Sequence, residues 1–121
     1  MPGSASDSLT LCLAGDVMTG RGIDQVLPCP GAPQLHESYV RDARDYVTLA
    51  ERRNGPVPRP VDFAYPWGDA LEMVERHRPD AFIVNLETSI TTSERFESDK
   101  GIHYRMHPDN VPCLTALGAN G

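Results

Sequence analysis

One carboxylate stands where an apolar run breaks into glycines. In LTLCLAGDVMTGRG, residues 9–22, Asp16 follows Gly15 at the end of the run, and Gly20-Arg21-Gly22 closes the turn. A second apolar run, in FIVNLETSIT (residues 82–91), ends on Asn85 and Glu87. Three chemistries put acids and glycines at the ends of apolar runs: phosphate cradling, aspartyl nucleophilic catalysis and metal binding.

Gly15 and Gly20 have the spacing of the phosphate loop G-x-x-x-x-G-K-[ST], but Arg21 replaces its lysine and Gly22 its hydroxyl. That hydroxyl holds magnesium in such loops, and Asp16 puts negative charge where phosphate would lie. Aspartyl phosphate chemistry needs a second acid two residues after the nucleophile, and Met18 stands there. Metal binding fits best. Asp16, Asn85 and Glu87 are oxygen ligands of the kind that divalent Mg, Mn, Zn or Fe accepts, and such metals activate water and clamp a phosphate-like group. The plainer alternatives are that Asp16 caps its turn and that Glu87 is a solvated charge.

A further constellation lies in KGIHYRMHP, residues 100–108, where Lys100, His103, Arg105 and His107 bring positive charge to one segment. It suits an anionic substrate, with an exposed basic loop as the alternative. The i, i+4 spacing of His103 and His107 would serve a metal only on a helix, and Gly101 and Pro108 argue against one. His36 and His77 read as surface residues, Trp67 as a core residue, and Cys12 as a small buried one.

The elements that must hold these residues follow from periodicity. Leu9–Ala14 and Ala81–Val84 are continuous apolar runs, which predicts buried, parallel strands. A short helical turn is expected over Ile23–Leu27. Tyr39, Val40, Ala43, Tyr46, Val47 and Ala50 share one helical face, which predicts a helix over Glu37–Arg53 that stops at Asn54-Gly55-Pro56. Prolines make 56–66 an extended loop, Trp67–His77 reads as a second helix, Tyr104–Met106 as a brief strand, and Pro108–Leu117 as a third helix closed by Gly118. Alternating strands and helices imply an α/β fold with a mainly parallel sheet, whose ligands sit at the carboxyl ends of the strands. Residues 1–7 read as a flexible polar leader and residues 8–121 as one domain portion, with a further strand expected after LTALGANG.

With 17 acidic against 11 basic residues among 121, the net charge of −6 speaks against nucleic acid as partner. Three scattered cysteines form no Cys-x-x-Cys pair, so neither a zinc knuckle nor a redox motif is present. No signal-type leader and no membrane-length apolar run is visible, which predicts a cytoplasmic protein.

Taken in order, AGDVMTGRG, FIVNLETSIT, KGIHYRMHPDN and LTALGANG resemble the CapA-type poly-γ-glutamate capsule biosynthesis family, which is related to the calcineurin-like metallophosphoesterases. The resemblance runs from Leu9 to Gly121. It implies a layered α/β/β/α sandwich of which this chain is the N-terminal portion, with further ligands in an Asn-Asn-His segment beyond Gly121. By motif it implies Asp16, Arg21, Asn85 and Glu87 as catalytic positions, with Asp16, Asn85 and Glu87 holding divalent metal. Arg21 would clamp an anionic small-molecule or polymer substrate, alongside Lys100, His103 and Arg105. The implied activity is metal-dependent hydrolysis of phosphoesterase type in capsule or poly-γ-glutamate metabolism. The alternative is a non-catalytic accessory protein on the same fold.

Overall fold

A computed structural model describes residues 7–121. Most of the expected leader, residues 1–6, therefore lies outside the described residues. The chain is mixed α/β, and its central pair of strands, β1 (Leu11–Val17) and β2 (Ala81–Leu86), is parallel as the apolar runs predict. Their register carries one irregularity. Leu13 stands opposite Ile83, yet the next pair is Asp16 opposite Asn85, so β1 holds one extra residue between them. Strand side chains alternate faces, and this bulge brings Asp16 to the face of Leu13, which simple alternation would deny it. Beyond β2, the backbone amides of Asn120 and Gly121 reach the Phe82 carbonyl, and the Gly121 carbonyl accepts from Val84. These residues therefore run along the edge of β2 that β1 leaves free.

The expectation that both strands are buried needs correction. Phe82 is buried, but Leu11, Leu13 and Ile83 are 52%, 71% and 45% exposed, and Cys12 is half-buried. Among the described residues nothing covers that face of a two-stranded sheet. The core lies elsewhere. Val26, Leu27, Val47, Val61 and Cys113 form its buried centre, with Ile23, Val57, Phe63 and Trp67 packed around it. It joins α1 (Arg21–Val26), α2 (Arg44–Asn54), the proline-rich loop and α4 (Pro112–Leu117). Val61 is tied in by its amide to the Val26 carbonyl at 2.8 Å. Trp67 is a partly buried core residue whose indole N–H donates to the Cys113 carbonyl at 2.8 Å.

The helix expected over Glu37–Arg53 is α2, which starts seven residues later than the apolar periodicity predicts. Residues 33–43 instead fold back on themselves: the Leu35 amide donates to the Arg41 carbonyl and the Ala43 amide to that of Pro33, with Gln34 and Asp42 bridged antiparallel. The Asp42 carboxylate then accepts the Arg44 amide at 2.9 Å, at the first helical residue. At the other end Gly55, at φ 89°, ends the helix as expected. Trp67–His77 is likewise not one helix. A 3₁₀ turn over Tyr65–Trp67 is separated from α3 (Ala70–His77) by Gly68 at φ 49°. The brief strand appears as β4 (Arg105–Met106), paired parallel with an unforeseen β3 (Ser89–Ile90). The third helix is a 3₁₀ turn over Pro108–Asn110 followed by α4, closed by Gly118 at φ 90°. Among the described residues no helix is long and apolar enough to cross a membrane.

Candidate functional site

The parallel register sets Asp16 and Asn85 side by side at the carboxyl ends of β1 and β2. Asn85 Nδ2 donates to Asp16 Oδ1 at 2.7 Å, with both side chains exposed. Glu87 follows the end of β2, where its amide donates to the Val17 carbonyl at 2.9 Å and its side chain faces solvent. All three residues therefore lie at one end of the sheet, with the first two in direct contact. Among the described residues, no three His, Cys, Asp or Glu side chains gather closely enough to hold a metal ion.

Arg21 opens α1 from a left-handed backbone conformation, φ 50°, behind Gly20. Its guanidinium lies over the Tyr46 ring at 5.2 Å and the Tyr104 ring at 4.6 Å, an arrangement that attracts a cation to both π-faces. Nη2 pairs with Glu37 Oε1, whose side chain is wholly buried, and also donates to the Tyr39 hydroxyl at 3.4 Å. Burial opposes the Arg21 charge, but the hydrogen bonds that Arg21 donates to Glu37 and Tyr39 outweigh it and raise the pKa. Nε is buried and has no acceptor. Arg21 is thus held in an internal ion pair, where the motif reading implied an open anion clamp.

The basic segment divides. Arg105 points its guanidinium at backbone: Nη1 donates to the Ser93 carbonyl at 2.8 Å, and Nη2 to those of Ala32 and Gln34 at 3.2 Å. It fastens two loops to β4. His103 Nε2 contacts the Glu97 carbonyl at 2.7 Å, and because a carbonyl only accepts, this nitrogen carries the proton. His103 also meets the edges of a stacked pair, His36 on Phe96, whose centroids are 3.6 Å apart. Lys100, His103 and Arg105 line one cavity of about 220 Å³ with His36 and Phe96. His107 belongs to a different feature: its Nδ1 accepts the Asp109 amide and caps the following 3₁₀ turn.

Sequence reasoning missed two buried acids. Glu37 is expected only as the first residue of a helix, and the helix instead begins at Arg44. Asp24 is 3% exposed, and its carboxylate accepts from the amides of Gly31 and His107 and from Asn110 Nδ2 at 2.8, 2.9 and 2.7 Å. The available signal was an acid set between Ile23 and Val26, both directed at the core.

Comparison with known proteins adds the following. Residues 10–121 match the family described as Bacterial capsule synthesis protein. Two curated Mycobacterium tuberculosis proteins, from strains CDC 1551 / Oshkosh and H37Rv, each carry the name "Probable polyglutamine synthesis accessory protein". Each is 58% identical to this chain over 111 residues, which cover 92% of the chain and 29% of the relative's own length. No solved structure matches the chain.

Proposed function

We propose, from the premise that this chain belongs to the bacterial capsule synthesis protein family, that it carries part of a metal-dependent hydrolase of phosphoesterase type acting on an anionic substrate of capsule polymer synthesis. The observation that carries the reading is the contact of Asp16 with Asn85 at the carboxyl ends of two parallel strands, where α/β sheets place their ligands. Asp16 and Glu87 contribute carboxylates and Asn85 an amide oxygen, hard donors that suit a divalent cation such as Mg²⁺ or Mn²⁺. The fit is partial: in the described arrangement the Asn85 amide donates to Asp16, so its oxygen would have to turn toward the metal. When bound, such a cation supplies Lewis-acid activation of water. The chain's own part is to hold two acids and an amide in register, through the extra residue in β1 that aligns Asp16 with Asn85. A layered sandwich of metallophosphoesterase type is the fold this reading expects of the larger protein. The curated relatives are more than three times as long, so its substrate and partners belong to this proposal.

A second reading is a non-catalytic accessory role in polymer synthesis, favoured by the word "accessory" in the relatives' names. Elemental analysis after incubation with Mn²⁺ separates the two. Metal bound per chain falls in Asp16→Asn and in Glu87→Gln if these residues are ligands. Unchanged stoichiometry in both variants sinks the metal site and leaves the accessory reading.

A further inference from the structure

We propose that Arg21 is a receptor for an oxyanion, a carboxylate or phosphate group, and that Glu37 fills it in the closed state as an internal substitute carried on a releasable strap. The strap is residues 33–43. Two backbone hydrogen bonds near its base, Leu35 to Arg41 and Ala43 to Pro33, hold it as a fold-back loop. Its tip makes contacts on two sides. Glu37 and Tyr39 reach Arg21, while His36 stacks on Phe96 and meets the edge of His103. The tip itself is open, with Tyr39 62% exposed and His36 exposed as well.

The guanidinium shows why this pairing is a substitute. An arginine receives a planar oxyanion best through two parallel N–H donors. Here Glu37 engages Nη2 alone, and Nε, the neighbouring donor of the fork, is buried without an acceptor. An unmade buried donor costs about 1–3 kcal/mol. A free oxyanion that sits across Nε and Nη2 satisfies both donors, which Glu37 on its loop does not. The receptor is otherwise prepared: two tyrosine rings flank the cation, and a cavity of about 290 Å³ lined by Met18, Ile23, Val26, Tyr46 and Val47 opens beside Arg21 for the rest of the ligand. The inference rests on the reading of Arg21 as an anion-binding residue and is independent of a cation at Asp16.

The test is an NMR titration of the protein with inorganic phosphate and, separately, acetate. A site closed in most molecules binds more weakly by the fraction open, so a strap open in about a tenth of them conceals roughly tenfold in affinity. Glu37→Gln is expected to bind at least one probe roughly tenfold tighter than the unsubstituted protein. The probe that gains identifies the group as phosphate or carboxylate. Adding Arg21→Gln to that variant should abolish the gain. Equal affinity of Glu37→Gln and unsubstituted protein for both probes overturns the proposal, as does a gain that persists without Arg21. If Glu37→Gln does not fold, His36→Ala, which loosens the exposed tip only, decides by the same criterion. Asp16→Asn serves as the separating control: lost metal with the anion gain intact, or the reverse, tells failure of one proposal from failure of the other.

Discussion

Asp24→Ala should be the most damaging single substitution outside the apolar core. The Asp24 carboxylate is 3% exposed and joins the loop after α1 to the segment 107–110, far along the chain. It accepts from Gly31 in the loop after α1, from the amide of His107 after β4, and from Asn110 in the 3₁₀ turn. Asn110, itself fully buried, uses its remaining groups on the backbone of Cys29. Truncation leaves three donors without their acceptor, that of Asn110 buried and those of Gly31 and His107 part-buried. Hydrogen bonds to a charged group contribute about 1.5–3 kcal/mol each, and such losses do not add fully because neighbours relax and water enters. The expected destabilisation is therefore about 3–4 kcal/mol, a large share of the roughly 5–15 kcal/mol that holds a domain together. Asp24→Asn keeps one acceptor oxygen but turns an NH₂ toward a donor, so a smaller loss of about 1–3 kcal/mol is expected. Urea unfolding followed by fluorescence reads both directly, because Trp67 is the sole tryptophan and packs against the core. An Asp24→Ala loss below about 1 kcal/mol with an unchanged denaturant slope would refute the reasoning.

Two further outcomes are expected. In Gly20→Ala the new Cβ would lie 2.6 Å from the Arg105 backbone carbonyl oxygen, so a loss of about 1–3 kcal/mol in the same unfolding assay is expected, and a neutral result would show that β4 shifts freely. Cys113 is fully buried and its thiol is pushed up to about 11 by that burial, partly offset by the Trp67 contact, so at pH 8 a thiol reagent should label half-buried Cys12 and Cys29 and reach Cys113 only on unfolding.

β1 and β2 were legible in the sequence because each is a continuous apolar run, the two-residue β3 was not, and helix ends were legible where glycine was needed, at Gly55 and Gly118. The helix expected from Glu37 was not. Its apolar positions fit a helical face, but the pattern is blind to a fold-back loop whose reward is a buried ion pair with Arg21, distant in sequence. The juxtaposition of Asp16 and Asn85 follows in outline from their places at two strand ends. What aligns them is a bulge in β1, and periodicity carries no signature of one added residue. Lys100, His103 and Arg105 line one cavity, yet Arg105 turns its guanidinium to the backbone carbonyls of Ser93, Ala32 and Gln34, which charge alone does not foretell.

The glycines of the first turn can now be explained without phosphate. A phosphate loop needs glycine so that its amides can surround an anion, whereas Gly20 is needed because the backbone of Arg105 packs against it. Gly22 is similarly crowded, since a Cβ there would lie 3.0 Å from that of Tyr46, while Gly15 has open space around it. Two close approaches, one by β4 on Gly20 and one by α2 on Gly22, therefore account for the second and third glycines of the turn, and nothing in the packing explains Gly15. These same approaches bring Tyr104 and Tyr46 to the two sides of Arg21. Glycine at 20 and 22 and arginine at 21 thus form a single device: small residues admit two neighbours, and the neighbours hold the cation. A substitution that adds bulk at Gly22 should consequently disturb Arg21 before it disturbs Asp16, which separates the part of the turn that holds the guanidinium from the part that carries the carboxylate.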